Sequence, residues 1–324
     1  MTKVSTTEIR SKSYSALVRH GAVDWIAAEV ANAVTRAEEL GNRICGLYYL
    51  ESYCQQLVTG RVNGNVEPVV TLPRPGFVKV DARFGFAQPA FRRGIPDALT
   101  AARENGIAAL AVGHAHTCTS LGYFTEIIAE QGIIGIGFTN ASAIVAPPGG
   151  KNRVIGTNPI ACSVPGPDGP AMQFDFSTSA VALGKITMAK AAGTSIPTGW
   201  AVDKNGNPTT DPEAALGGAL VSAGGYKGWG LGLMVELLAA GLTGGINSAD
   251  VKPLKAPEGL PHDLGQFYIL IDPETSEDFG DRLSRLIQII AMEEGARIPG
   301  GKRKASQTVE VPETLWSQVT ELAS

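Results

Sequence analysis

Apolar residues recur at helical spacing through the first 60 positions of the chain. One stripe runs over residues 22–39 and another over residues 47–57, each with apolar side chains at intervals of three or four. Gly41 and Gly60 follow these stripes and mark the ends of the predicted helices. Residues 1–68 are therefore predicted to form an N-terminal helical segment.

After this segment, short apolar runs bounded by Pro and Gly take the place of the helical stripes. They predict strands at residues 69–72, 78–81, 108–112, 133–139, 160–164, 172–176 and 266–272. Helical patterns separate them at residues 90–105, 122–131, 180–192, 229–242, 276–292 and 312–323. The helix over 229–242 is apolar on nearly all sides, which predicts burial. The fold class is predicted to be α/β, with an irregular, α+β-like order of elements.

Composition and charge exclude several classes of partner. The chain carries a formal net charge of −4 with both signs mixed, which argues against binding to nucleic acid or to an anionic membrane. No apolar run reaches the roughly 20 residues of a membrane span, and residues 1–14 lack the apolar region of a signal peptide. Cys45, Cys54, Cys118 and Cys162 show no metal-binding spacing. A cytoplasmic protein without a metal site is expected.

Two turn-rich stretches are candidates for holding an anion. I-G-T-N-P-I at 155–160 and D-F-S-T-S at 175–179 combine small side chains with exposed backbone N–H groups, which suits a dinucleotide pyrophosphate. A loop-rich sheet without a ligand explains this pattern equally well. The chain has no G-x-G-x-x-G between a strand and a helix and no G-x-x-x-x-G-K-[ST], so Rossmann and P-loop sites are disfavoured.

A series of short motifs then resembles a known family. In chain order they are G-I-I-G-I-G-F-T-N at 132–140, A-P-P-G-G at 146–150, G-T-N-P-I-A at 156–161, D-F-S-T-S at 175–179, G-K-I at 184–186, I-P-T-G-W-A-V-D at 196–203, G-G-Y-K-G-W-G-L at 224–231 and R-I-P-G-G at 297–301. Together they resemble the malate/L-lactate dehydrogenase family of NAD(P)-dependent oxidoreductases, over roughly residues 5–320. That family includes ureidoglycolate and sulfolactate dehydrogenases and cyclic ketimine reductases.

The resemblance implies a non-Rossmann nicotinamide-binding fold within a homodimer. It assigns residues 126–264 to a cofactor-binding domain and residues 69–125 plus 265–324 to a substrate and dimerisation domain. The implied cofactor is NAD or NADP, and the implied substrate is a small carboxylate. The implied cofactor-binding residues are Asn140, Gly156, Thr157, Asn158, Ser177, Thr178 and Lys227. Turn chemistry, and for Lys227 a solvated loop lysine, is the alternative interpretation.

His116 and Asp175 are the expected catalytic residues. His116 follows an apolar run, where the family carries a His in a segment reading roughly N-S-x-H, and an imidazole that titrates near ~6.5 can donate a proton. A satisfied core histidine is the alternative. Asp175 is implied by the resemblance to organise the active site, with a turn or capping aspartate as the alternative.

The N-terminal motif departs from the family. Relatives read S-H-G-x-x-R, but here Ile44 replaces the Ser, Cys45 the His and Tyr49 the Arg. The expected substrate-binding residues are Arg43, Cys45, Tyr49 and Tyr53. A carboxylate substrate requires a cation, for which the candidates are Arg43, Arg61, Arg153 and Lys227.

The function expected from the resemblance is hydride transfer between a nicotinamide cofactor and a small acid. The substrate is a 2-oxo or 2-hydroxy acid, or a cyclic 2-imino acid such as pyrroline- or piperideine-2-carboxylate. A protonated ketimine brings its own charge and proton, so the altered motif favours it slightly. Two other hypotheses are a relative that binds dinucleotide without turnover and a structural dimer without a ligand.

Overall fold

The computed structural model describes residues 1–300 and 305–324, and its two chain ends form one helical layer. The N-terminal elements are β1 (Thr2–Ser5), α1 (Thr6–Arg19), α2 (Asp24–Glu39) and α3 (Leu50–Val58). The C-terminal elements β12 (Thr308–Val311) and α10 (Glu313–Leu322) join them, because β12 pairs with β1 and α10 packs on α1 and α3. The predicted N-terminal helices are confirmed, although two 3₁₀ turns, Arg43–Cys45 and Leu47–Tyr49, precede α3.

A seven-stranded mixed sheet forms the centre of the molecule. Its strands, from edge to edge, are β2 (Val69–Arg74), β3 (Phe77–Asp81), β4 (Ile107–Ala115), β11 (Leu264–Ile271), β5 (Ile134–Thr139), β6 (Ile160–Gly166) and β7 (Gly169–Phe176). Only β3 and β4 run parallel, joined by helix α4 (Ala87–Asn105). Every predicted strand is confirmed, and so is the mixed α/β class. Because one sheet takes strands from both 69–125 and 126–264, the domain division stays a proposal.

Helix α5 (Leu121–Glu130) packs closely against β5. A glycine is required at position 137 of this strand, since a Cβ there would lie 3.0 Å from Thr125 and 3.2 Å from the Tyr268 ring. Tyr268 and Phe124 are fully buried here, between the sheet and its helices. This packing fixes the N-terminus of α5 beside the end of β7.

A smaller unit follows the sheet strands in the chain. It contains α6 (Leu183–Ala191), β8 (Ala201–Val202), β9 (Pro208–Thr209), α7 (Pro212–Gly217), β10 (Ala219–Leu220) and α8 (Tyr226–Glu236), with a π-helical turn at Leu237–Gly241. The predicted burial of the helix over 229–242 is wrong, because Leu231 and Met234 of α8 are 44% and 39% exposed and Leu237 of the π-helical turn is 69% exposed. Apolar residues surround this helix, but the chain itself covers only one side.

Helix α9 (Phe279–Ala291) confirms the predicted amphipathic helix and contains no buried residue. In the part of the chain that the structure describes, no helix combines the length and apolar character needed to cross a bilayer. Over the same residues, no group of three or more His, Cys, Asp and Glu side chains is arranged to hold a metal ion.

Candidate active site

Three of the sequence motifs meet where β6 begins, β7 ends and α8 starts. The backbone N–H and the hydroxyl of Thr178 both donate to the Thr157 carbonyl, at 2.9 and 3.0 Å. Ala223, just before α8, donates its N–H to the Thr178 carbonyl. The Asn158 side-chain amide donates to the Gly232 carbonyl of α8 at 3.0 Å. G-T-N-P, D-F-S-T-S and G-G-Y-K-G are therefore one structural unit.

The start of α8 fits a phosphate group. Gly224 and Gly225 have φ values of 63° and 64°, a conformation that favours glycine, and no side chain caps the helix. The first N–H groups of a helix carry partial positive charge and bind anions. Lys227 is exposed in the first turn, and the buried Ser222 hydroxyl has no hydrogen-bond partner among the described residues. These residues suit the pyrophosphate of a dinucleotide.

Several predicted cofactor-binding side chains face the protein interior instead. Asn140 is buried, donates to the Ile246 carbonyl and accepts from the Gly265 N–H, so both ends of its amide are used. The Asn158 amide likewise donates to α8, and the Thr178 hydroxyl donates to the Thr157 and Asn158 carbonyls. Gly156 is required because a Cβ there would lie 2.5 Å from the Ala141 carbonyl oxygen. Lys227, Thr157 and Ser177 are at least partly open to solvent.

Glu236 organises this region, and nothing in its sequence surroundings predicts that role. Its carboxylate is buried and accepts from the Asn158 amide at 2.7 Å, and from the N–H and the hydroxyl of Ser248, both at 2.6 Å. A buried carboxylate is tolerated when donors satisfy it in this way. Glu236 thereby holds the G-T-N-P turn against α8.

On the substrate side, Glu38 positions the altered N-terminal motif. Its buried carboxylate accepts from the Leu47 N–H at 2.8 Å, between the two 3₁₀ turns. Gly46 passes directly over this carboxylate, where a side chain would collide with it. Burial raises the pKa of the Glu38 carboxyl, while its hydrogen bond from Leu47 and the charge of Arg43 oppose the shift.

Burial and the negative charge of Asp175 both raise the pKa of two thiols, those of Cys45 and Cys118. Burial raises the pKa of Cys45 to about 12, and the Asp175 carboxylate contributes to the shift. Burial also raises the pKa of Cys118, again with a contribution from Asp175. The charge of Asp175 therefore reaches both Cys45 and Cys118, which lies two positions after His116 in the chain.

Asp175 projects from the end of β7 toward the start of α5. Its carboxylate accepts from the Gly122 N–H at 2.8 Å, and the positive end of α5 stabilises its negative charge. It also lines a cleft of about 260 Å³ formed by the C-terminus of α2, the N-terminus of α5 and β7, whose other lining residues include Asn42, Ser120 and Gln173.

A series of rings connects this region to His116. The ring centroids of Tyr49 and Tyr53 are 5.9 Å apart, and those of Tyr53 and His116 are 5.5 Å apart. Burial raises the pKa of Tyr49 to about 12, helped by the nearby Cys45, and burial also raises that of Tyr53. Both phenols are therefore neutral near pH 7.

His116 itself is buried in the interior. The amide nitrogen of Gln56 donates to two carbonyls, so its oxygen faces His116 and accepts from the ring N–H at Nε2, at 2.6 Å. His116 stacks on His262, with centroids 3.8 Å apart. Burial, aided by His262 and Arg61, lowers the pKa of His116, so the ring is neutral. The Nε2 hydrogen bond and the lowered pKa match the alternative of a core histidine, while Nδ1 has no hydrogen-bond partner among the described residues. Proton donation by His116 remains a prediction.

Two of the candidate cations have structural roles. Arg61 is fully buried and donates to the carbonyls of Pro253, Ala256 and Leu260. Arg153 donates to the carbonyls of Gly218 and Leu216. Arg43 is exposed beside the substrate-side turn, while Lys227 belongs to the α8 start.

Comparison with known proteins places this geometry in a family. The family profile described as malate/L-lactate dehydrogenase matches residues 4–320. The chain belongs to the malate/L-lactate dehydrogenase family. The expected family, the NAD(P)-dependent oxidoreductase class and the fold are thereby confirmed.

Named relatives in this malate/L-lactate dehydrogenase family include two kinds of enzyme. A (2R)-3-sulfolactate dehydrogenase (NADP(+)) of Chromohalobacter salexigens is 37% identical over 98% of this chain and 96% of its own length. A Δ1-pyrroline-2-carboxylate/Δ1-piperideine-2-carboxylate reductase of Pseudomonas aeruginosa is 38% identical over 99% of each. The crystal structure of a Δ1-piperideine-2-carboxylate reductase from Pseudomonas syringae pv. tomato superposes with a TM-score of 0.92, at 33% identity, covering 99% of this chain and 100% of that one.

Proposed function

We propose that this family member reduces a small cyclic 2-imino carboxylate, such as Δ1-pyrroline- or Δ1-piperideine-2-carboxylate, with NADPH or NADH. One observation carries the choice of substrate. Cys45 and Cys118, whose thiols the Asp175 charge reaches, have raised pKa values. Tyr49 and Tyr53, which neighbour these cysteines, also have raised pKa values, and the buried His116 next to Tyr53 has a lowered one. These five groups are neutral near pH 7.

Neutral groups with such pKa values are poor proton donors, which suits a substrate that already carries a proton and a positive charge on its imine. When bound, a reduced nicotinamide supplies the hydride. Asp175 would lie near the protonated imine nitrogen, and opposite charges about 4 Å apart attract by about 4 kcal/mol at an effective dielectric constant of about 20. The neutral thiols and phenols exclude water without competing for that charge.

A straight-chain 2-oxo acid makes a different demand. Its carbonyl oxygen needs a proton as the hydride arrives, and the best donors have a pKa near the working pH. The Cys45 and Tyr49 groups, each with a pKa of about 12, are poor acids at pH 7, and the neutral His116 holds its Nε2 proton on Gln56. The imine substrate avoids this need because its nitrogen is already protonated.

For the cofactor, we propose that the start of α8 holds the phosphates. Lys227 and the first N–H groups of the helix supply the positive charge, with Thr157 and Ser177 next to them in the same structural unit. The interior-facing Asn140, Asn158 and Thr178 would act by holding this unit in shape.

We further propose that the protein is a homodimer. The exposed apolar residues of α8 and the unburied helix α9, with Leu286 and Ile289 about half exposed, are the surfaces that a second copy would cover. We also propose a cytoplasmic location, because all four cysteines are free thiols.

Replacing Asp175 tests the proposed mechanism. Asp175→Asn should lower kcat/KM for Δ1-pyrroline-2-carboxylate by about 100-fold or more, with little change in the Kd for NADPH. Asp168→Asn is a matched control, because Asp168 is exposed in the β6–β7 turn of the same hairpin. Equal activity of the two variants would contradict the role of Asp175. NADPH binding by wild-type protein without turnover of any 2-imino or 2-oxo acid would instead support the non-catalytic alternative.

A further inference from the structure

The loop over residues 253–262 is held against the end of α3 by side chains that donate to its backbone carbonyls. The Gln56 amide donates to the Leu254 and Ala256 carbonyls at 2.8 and 2.7 Å. Thr59 donates to the Pro257 carbonyl at 2.7 Å, and the buried Arg61 donates to the carbonyls of Pro253, Ala256 and Leu260. These bonds fix the loop backbone whatever its side chains are.

His116 strengthens this attachment. It donates to the Gln56 oxygen, which orients the Gln56 amide toward the loop, and its ring stacks on His262 at the loop's C-terminal end. His116, the predicted proton donor, is thus in contact with both the loop and Gln56, which holds the loop.

The fixed loop carries one cation to the altered N-terminal motif. Lys255 Nζ donates to the Tyr48 carbonyl at 3.0 Å. It lies 3.2 Å from the Tyr48 ring centroid and 4.7 Å from that of Tyr49. Tyr49 occupies the position where the family motif has Arg, so an ammonium group lies against the residue that replaced the guanidinium.

We propose that Lys255 supplies the positive charge that binds the substrate carboxylate; this inference rests on the proposed function. An ammonium group has three donors, and Tyr48 uses one, which leaves two for a carboxylate. Arg61 and Arg153 bond to backbone carbonyls, and Arg43 interacts with the Glu38 carboxylate. Burial lowers the pKa of the Lys255 ammonium, and the charge of Glu51 opposes that shift.

A cation on this loop also explains how the chain can bind a carboxylate although Tyr49 replaces the family arginine in the 43–49 turn. Lysine is a point charge and binds one carboxylate oxygen less directionally than the planar fork of arginine. The weaker directionality of lysine is offset because the loop backbone on either side of Lys255 is held by hydrogen bonds to the Leu254 and Ala256 carbonyls.

The test compares Lys255→Gln, Lys255→Arg and the control Lys252→Gln, whose residue is exposed on the neighbouring loop segment. Lys255→Gln should raise the KM for Δ1-pyrroline-2-carboxylate by about 10-fold or more, with a smaller change in kcat and an unchanged KM for NADPH. Lys255→Arg should restore most of the affinity, and Lys252→Gln should behave as wild type. An unchanged substrate KM in Lys255→Gln overturns the inference while leaving the proposed function intact.

A charge-specific inhibitor pair provides a second readout. L-proline, the reduced product, carries the carboxylate, and L-prolinamide lacks it. Wild-type protein should bind L-proline more tightly than L-prolinamide, and Lys255→Gln should lose that preference. Retention of the full preference in the variant contradicts the assignment. Absence of any cyclic-imine turnover in wild type overturns the proposed function and this inference together.

Discussion

The imidazole rings of His116 and His262 stack with their planes 17° apart, and this contact joins the end of β4 to the loop that precedes β11. Both rings are almost completely buried. Burial lowers the pKa of His116, and burial together with Arg61 lowers that of His262 to about 3. Two neutral rings can stack in this way, whereas two imidazolium rings would repel each other.

The buried histidine pair predicts a loss of stability in mild acid. Because both folded-state pKa values lie below the unfolded value of about 6.5, the unfolded chain binds more protons than the native state as the pH falls through that value. The free energy of unfolding should therefore decrease below about pH 6.5, by up to about 1.4 kcal/mol per pH unit for each histidine. For His262 this loss continues toward pH 3.

Urea unfolding between pH 8 and pH 5 measures this dependence. His262→Phe keeps a flat ring but cannot titrate, so its free energy of unfolding should fall by roughly half as much over this range. A variant whose pH dependence equals that of wild type would show that His262 is not a buried neutral group.

Replacement of two glycines of α8 by alanine should have opposite effects on stability. A Cβ on Gly232 would lie 2.6 Å from the Ile155 side chain and 3.1 Å from the Thr178 hydroxyl, so Gly232→Ala should cost about 1–3 kcal/mol of stability. It should also weaken NADPH binding, because α8 would move off the G-T-N-P turn.

Gly230→Ala is the matched control on the same helix. Nothing lies within 4 Å of its Cβ position, and alanine favours helix by about 1 kcal/mol over glycine. Gly230→Ala should therefore be neutral or stabilising in thermal unfolding. The packing described for α8 would be contradicted if both variants behaved alike.

The proposed dimer predicts that a charge on α9 changes the mass in solution. Sedimentation velocity should give wild-type protein a mass of two chains, and Leu286→Glu combined with Ile289→Glu should shift it toward one. Val58→Glu alters an apolar residue that is 68% exposed on α3 and should leave the dimer intact. A monomeric wild-type protein would contradict the proposal that a second copy covers the exposed apolar residues of α8 and α9.

The sequence predicts the elements and the motif-bearing turns well, because apolar periodicity and glycine positions are local signals. The strands of the central sheet are an example. The sequence does not predict the direction of a side chain. Asn140 and Asn158 lie in the expected turns, but their amides donate to backbone carbonyls that are distant in the sequence.

Residues that depend on long-range contacts leave no local pattern. His262 and Lys255 are brought to His116 and Tyr49 by a loop that folds back on α3. The sequence of α8 is apolar on nearly all sides. This pattern does not show whether the apolar side chains are buried by the same chain or by another molecule, and for this reason the predicted burial is wrong.

The most direct test of the central claim is the ratio of kcat/KM for Δ1-pyrroline-2-carboxylate to that for pyruvate and for oxaloacetate. It is measured with NADPH and with NADH at pH 7. If the site around Asp175 serves a substrate that brings its own positive charge and proton, the cyclic imine should be preferred by about 100-fold or more. Turnover of the straight-chain 2-oxo acids alone would contradict the account.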